Sequence, residues 1–124
     1  MRGGVTVNKT ANMLLWALQA ACAAIFLMAG AKKLMADPMM VMAFAKVGLG
    51  QWFRVLTGTL EVFGGIGLLV PRFTAGAAAM LAMVMVGATV AHLTVLGGSP
   101  AMAIGLGVAC LIIAWFRRGA FRLA

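Results

Sequence analysis

Acidic residues are almost absent from this chain. Its 124 residues include two, Asp37 and Glu61, against ten lysines and arginines. A water-facing domain needs a surface of mixed charge, with about a quarter of its residues ionised. Here 10% are charged and 65% are hydrophobic, so an ordinary soluble domain is excluded. Histidine is nearly absent too. A single imidazole, His92, cannot hold a haem from both sides, and no cluster of His, Cys and acid points to a metal centre. The two cysteines, Cys22 and Cys110, make no Cys-x-x-Cys pair. They fall in different apolar segments, and counting inward from the segment ends places them at different depths. That reading argues against thiol–disulfide chemistry. Gly64-Gly65-x-Gly67 lacks the preceding strand and the lysine of a phosphate loop.

Long apolar runs are what the chain has instead. Four candidate spans emerge, at about 11–31, 54–70, 73–96 and 99–116. Each approaches the roughly 17–25 residues that cross a hydrocarbon core of about 30 Å. The runs are continuous rather than alternating, which favours helices over a barrel. The first run follows Arg2 and Lys9 as a signal peptide would, but it is long enough to span and is stopped by Lys32 and Lys33. It is read as a retained span; Gln19-Ala-Ala-Cys22 is a poor lipoprotein cleavage site. The net charge of +8 lies between the apolar segments, where lysine and arginine meet lipid head groups. No basic stripe interleaves with aromatics, so nucleic acid is not an expected partner.

The connections set the architecture. Pro71-Arg72 and Gly97-Gly-Ser-Pro100 are tight reversals, with Ser99 placed to cap the last helix. Asp37-Pro38 starts a short Met-rich piece, too short to span and suited to the membrane interface. Gly48 and Gly50 allow a bend after it. Short connections require antiparallel neighbours, so the expected fold is all-α: one integral membrane four-helix antiparallel bundle. Both termini are expected in the cytoplasm, since their side carries six basic residues against four on the other. Small residues at four-residue spacing (Ala17-Ala21, Ala20-Ala24, Ala75-Ala79, Ala78-Ala82, Gly87-Ala91, Gly105-Ala109) would let helices approach closely.

Glu61 is the anomaly in this pattern. A carboxylate within hydrocarbon costs a few kcal/mol and is usually paired or turned into the bundle interior. Arg54, Thr57 and Gly58 share its helix face, and Arg54 is placed to reach down to it. Antiparallel counting sets residue 83 opposite Glu61 and His92 near Trp52, Gln51 and Arg54. Gln19 falls within about a turn of the Glu61 level. Glu61 and His92 are therefore candidate proton-handling, catalytic groups. Gln19, Trp52, Arg54 and Thr57 are candidate cofactor-binding groups. Together they would suit a quinone, whose apolar body sits in lipid while its carbonyl oxygens need donors. The bland alternative is that Glu61 pins two helices together, that Lys32, Lys33 and Lys46 anchor in head groups, and that Trp16, Trp52 and Trp115 form interfacial belts. The eleven methionines read as packing residues. Met39-Met40-x-Met42 is only a faint copper pattern.

Met28-Ala-Gly-Ala-Lys-Lys-Leu34, Phe44-Ala-Lys-Val-Gly-Leu-Gly50 and the stretch from Trp52 to Pro71, with His92 near the third span's end, resemble the DoxX-like family of small bacterial membrane proteins. That resemblance implies a quinone-linked role as an accessory subunit of a membrane oxidoreductase in the bacterial inner membrane. It implies Lys32, Lys33, Arg54, Glu61 and His92 as the polar positions. Expected partners are membrane lipids, with redox-complex subunits or further copies of the chain. A small-molecule transporter, a lipid-binding module and a scaffold stay open. Small multidrug exporters also have four spans and a membrane glutamate, but theirs lies in the first span.

Overall fold

The computed structural model describes residues 7–123, with side chains described as far as residue 119. The described chain is all-α. Its helices are α1 (Lys9–Leu34), α2 (Pro38–Val47), α3 (Gln51–Leu68), α4 (Thr74–Ala91) and α5 (Ala101–Leu123). A single π turn, His92–Leu96, extends α4. Three helical stretches are long and apolar enough to cross a membrane: Lys9–Leu34, Thr74–Leu96 and Ala101–Gly119. α3 falls outside that set because Gln51, Arg54, Glu61 and its glycines dilute its apolar content.

The helix ends follow the sequence signals. Asn8 caps α1 by accepting from the Ala11 amide at 2.7 Å. Asp37 caps α2, with Pro38 in its first turn, by accepting from the Met39 amide at 3.0 Å. Gly48 closes α2 in the left-handed region at φ 83°, and Gly50 precedes α3 at φ 100°. These two residues make the bend between them. The Ser99 hydroxyl accepts from the Ala101 amide at 3.1 Å and opens α5.

α1 packs along α3, and α4 packs along α5. The two pairs join where α3 meets α4, and α1 touches α5 along a thinner seam. Sequential neighbours run antiparallel, so α1 begins and α5 ends at one end of the bundle, here the terminal end. α2 lies at the other end, packed on α3 and on the π turn. Phe44 stacks at a tilt on Phe53 with centroids 5.9 Å apart, and Gln51 Nε2 donates to the Val41 carbonyl at 3.1 Å.

The core is small-residue rich. Phe26, Leu68, Leu81 and Ile113 fill its centre among Ala23, Ala78, Ala82 and Ala103. Large apolar side chains on every helix face outward, Leu14, Met28, Phe63, Met83 and Leu111 among them. An outer surface of this kind suits lipid rather than water. The close approaches are made by glycines. A Cβ on Gly30 would lie 2.8 Å from the Gly58 carbonyl oxygen and 2.7 Å from Val62 Cγ2. A Cβ on Gly64 would lie 2.6 Å from Leu81 Cδ2.

Two expectations about packing change. The alanine pairs of α1 at 17, 20, 21 and 24 face outward, and Gly87 and Gly105 meet open space. The tight interface is instead Gly30 against Gly58, with Gly65 against Leu27 and the Ala23 carbonyl. The last helix also does not stop at 116 but continues to Leu123, because Arg117, the first of the arginines that read as its end, has partners on α1 within the bundle.

Candidate functional site

Glu61 is buried, and its partner is Lys33. The Lys33 ammonium lies 2.8 Å from Glu61 Oε1, with the two side chains 13% and 3% exposed. The local sequences explain the meeting. Gly30 precedes Lys33 by one turn on α1, and Gly58 precedes Glu61 by one turn on α3. Where the glycines touch, the backbones come close enough for a lysine and a glutamate to meet without crossing lipid. Lys33 Cβ would itself lie 2.9 Å from a Cβ added to Gly58.

The ammonium is within hydrogen-bonding reach of buried Oε1, and among the described residues no second donor meets that oxygen. A buried carboxylate oxygen ordinarily takes one or more. The pair therefore satisfies charge but leaves hydrogen-bonding capacity unused.

Arg54 does not hold Glu61. Its Nε donates to Gln51 Oε1 at 2.8 Å, and its Nη1 donates to the Lys33 carbonyl. A guanidinium on the last carbonyls of α1 suits the negative end of that helix. Arg54 thus braces the segment that carries Lys33. Its side chain is engaged there by backbone and amide oxygens, which the helix-face count could not foresee.

Gln19 lies away from the Glu61 pair. Its Nε2 donates to the Leu68 carbonyl at 2.7 Å, two turns beyond Glu61 on α3. Its Oε1 accepts from Arg117 Nε at 2.7 Å. Arg117 also donates through Nη1 to Asn12 Oδ1 at 2.7 Å and stands over the Trp16 ring at 5.6 Å. The Thr74 hydroxyl shares its one proton between the Leu68 carbonyl, at 3.1 Å, and that of Val70, at 3.0 Å. Asn12, Gln19, Thr74 and Arg117 thus knit all four long helices together at the terminal end. The depth estimate for Gln19 erred because α3 ends at Leu68, level with Gln19 and 10 residues (19 − 9) in from the start of α1, so the two helices do not share an end.

The remaining candidates lie at the α2 end. Thr57 donates to the Phe53 carbonyl one turn back, at 2.8 Å. Trp52 is exposed and stands edge-on to Phe53 at 5.6 Å, as an interfacial indole does. Trp115 is likewise exposed, under the Arg118 guanidinium at 3.7 Å. His92 is half-buried at the start of the π turn, and its Nδ1 donates to the Gly97 carbonyl at 3.0 Å. It pairs with the reversal after the turn and not with Trp52, Gln51 or Arg54. Met83, counted opposite Glu61, faces outward.

Sequence reasoning from the residues alone took Lys33 for a head-group anchor, and only the family resemblance set it among the polar positions. The usable signal was the shared spacing of Gly30 to Lys33 and Gly58 to Glu61. The cysteines were also misjudged. Cys22 and Cys110 are neighbours in one buried cluster. Cys22 lies 13 residues in from Lys9 (22 − 9), and Cys110 lies 13 residues in from Leu123 (123 − 110). Equal depths appear once both helices have their full length.

Three long apolar helices, an outward-facing apolar surface and a buried Lys33–Glu61 pair define an all-α membrane protein. More particularly, the sequence profile of the DoxX-like family matches residues 17–116, and the chain belongs to that family. Searches of curated proteins and of solved structures found no match.

Proposed function

We propose that the chain is a quinone-interacting accessory subunit of a bacterial inner-membrane oxidoreductase, with α3 as its fourth span and both termini in the cytoplasm. The observation that carries the reading is the buried Lys33–Glu61 pair, in which no donor besides Lys33 meets Oε1 among the described residues. A quinone supplies two-electron, two-proton chemistry and is soluble in the bilayer. Lys33 can donate to a carbonyl oxygen. Glu61 can accept a proton from a bound hydroxyl and pass it on, because its Oε1 is not saturated by hydrogen bonds. Arg54 positions Lys33 by holding its carbonyl. His92, Trp52 and Thr57 sit at the same end as Arg54 and would border a head group entering there. Gln19, tied to Leu68 and Arg117, is not part of this proposal.

The test is binding of decylubiquinone to the full chain in nanodiscs, followed by isothermal titration and by native mass spectrometry of the gently purified protein. Glu61→Gln keeps the shape and removes the charge. It is expected to weaken binding about tenfold, the equivalent of about 1.4 kcal/mol. Absence of quinone binding in the native chain, with no co-purifying subunit, overturns the proposal.

A second reading has its own support. Gly30 and Gly58 press backbone on backbone beside the pair, as expected if Lys33 and Glu61 only lock α1 to α3 in a scaffold. In that case Glu61→Gln lowers stability and leaves quinone binding and partner activity unchanged.

A further inference from the structure

Cys22 of α1 and Cys110 of α5 are both free thiols, both buried, and neighbours in the bundle core. Their mid-helix positions put them near the bilayer centre. They occupy the α1–α5 seam, which is thinner than the α1–α3, α4–α5 and α3–α4 contacts. That seam is pinned at the terminal end by Arg117, which bonds Gln19 and Asn12. It has no other polar tie among the described residues. A thiol pair bridging a thin seam of a bundle is placed to change how firmly that seam is held.

We propose that Cys22 and Cys110 form an intramembrane dithiol–disulfide site, oxidised by a lipid-soluble organic hydroperoxide. Packing among Phe26, Ile113 and alanines leaves both thiols in wholly apolar surroundings, which favour an oxidant that partitions into hydrocarbon over one that stays in water. One sulfur attacks the outer peroxide oxygen. The O–O bond breaks, and the alkoxide leaves with that thiol's proton as an alcohol. The sulfenic acid so formed is attacked by the second sulfur, and hydroxide leaves as water with the second proton. The two sulfurs together give up two electrons and the hydroperoxide takes them. The new bond staples α1 to α5. This proposal stands apart from the quinone reading, since it uses neither Lys33 nor Glu61.

The experiment counts thiols. The full chain in liposomes is treated with cumene hydroperoxide or with hydrogen peroxide at equal concentration. It is then denatured, labelled with a polyethylene glycol maleimide, and run without reductant. Cumene hydroperoxide is expected to remove both labels together from the monomer band, faster than hydrogen peroxide does. Dithiothreitol is expected to restore both. Cys22→Ala and Cys110→Ala are each expected to keep the remaining thiol recoverable by dithiothreitol and to form no internal link. Retention of both labels in the native chain, loss of one only, or covalent dimers in place of an internal link overturns the site. Equal rates with the two peroxides overturn the membrane route.

Discussion

At the scale of the residue, the described residues hold one charged pair that cannot be broken cheaply. Removing one partner of a buried pair leaves an uncompensated charge, at a cost of about 3–5 kcal/mol. Lys33→Met is therefore expected to destabilise strongly. Lys33→Met combined with Glu61→Met should recover most of the loss, because apolar residues of similar volume replace a charged pair at little cost. Unfolding in mixed micelles, followed by circular dichroism, would show it. A double variant no more stable than the single would mean that the two residues do not act as a pair. Glu61 was legible as the anomaly because an acid in an apolar run is conspicuous. Its partner was not, because Lys33 reads like any lysine that stops a span. Its difference lies in where the α1 backbone passes, which depends on Gly58 as much as on α1.

At the scale of the element, glycines decide which helices meet. Gly30→Ala would set a methyl against the Gly58 carbonyl, which cannot move without shifting α3. Gly64→Ala would meet only the Leu81 side chain, which can repack. Overpacking costs roughly 1–3 kcal/mol. Gly30→Ala is expected at or above the top of that range and Gly64→Ala near the bottom. Gly87→Ala faces open space and should be neutral or stabilising, since alanine is the better helix former by about 1 kcal/mol. Thermal denaturation of the three variants in one detergent would rank them, and a reversed order would refute the contact assignment. Helix existence, the capped starts at Asp37 and Ser99, and the bends at Gly48 and Gly50 were all legible, because local chemistry sets them. Helix length was not. The arginines of α5 read as a stop signal, yet Arg117 finds oxygens on α1 and the helix continues. The misjudged depth of Cys110 follows from a helix read too short, and that of Gln19 from α3 ending level with it.

At the scale of the whole molecule, two close-packed pairs share a bundle that is closed more lightly between α1 and α5. Arg117 holds that closure with neutral partners, Asn12 and Gln19. Hydrogen bonds to a charged donor contribute about 1.5–3 kcal/mol. Arg117→Met is expected to lose that amount. It should also raise hydrogen exchange in the first turns of α1 while leaving the α3–α4 turn protected. Uniform loss of protection along the chain would show that the bundle opens as one unit and not at the seam.

The bond from His92 Nδ1 to the Gly97 carbonyl fixes which nitrogen of the neutral ring carries the proton. A carbonyl can only accept, so Nδ1 is the protonated nitrogen and Nε2 keeps its lone pair. The π turn thus selects a tautomer. At an end of the bundle where Lys32, Lys46 and Arg54 can only give hydrogen bonds, the neutral His92 ring joins Asp37 in being able to receive one. The reversal that ends α4 thereby decides which nitrogen of the neutral His92 ring is left free to accept.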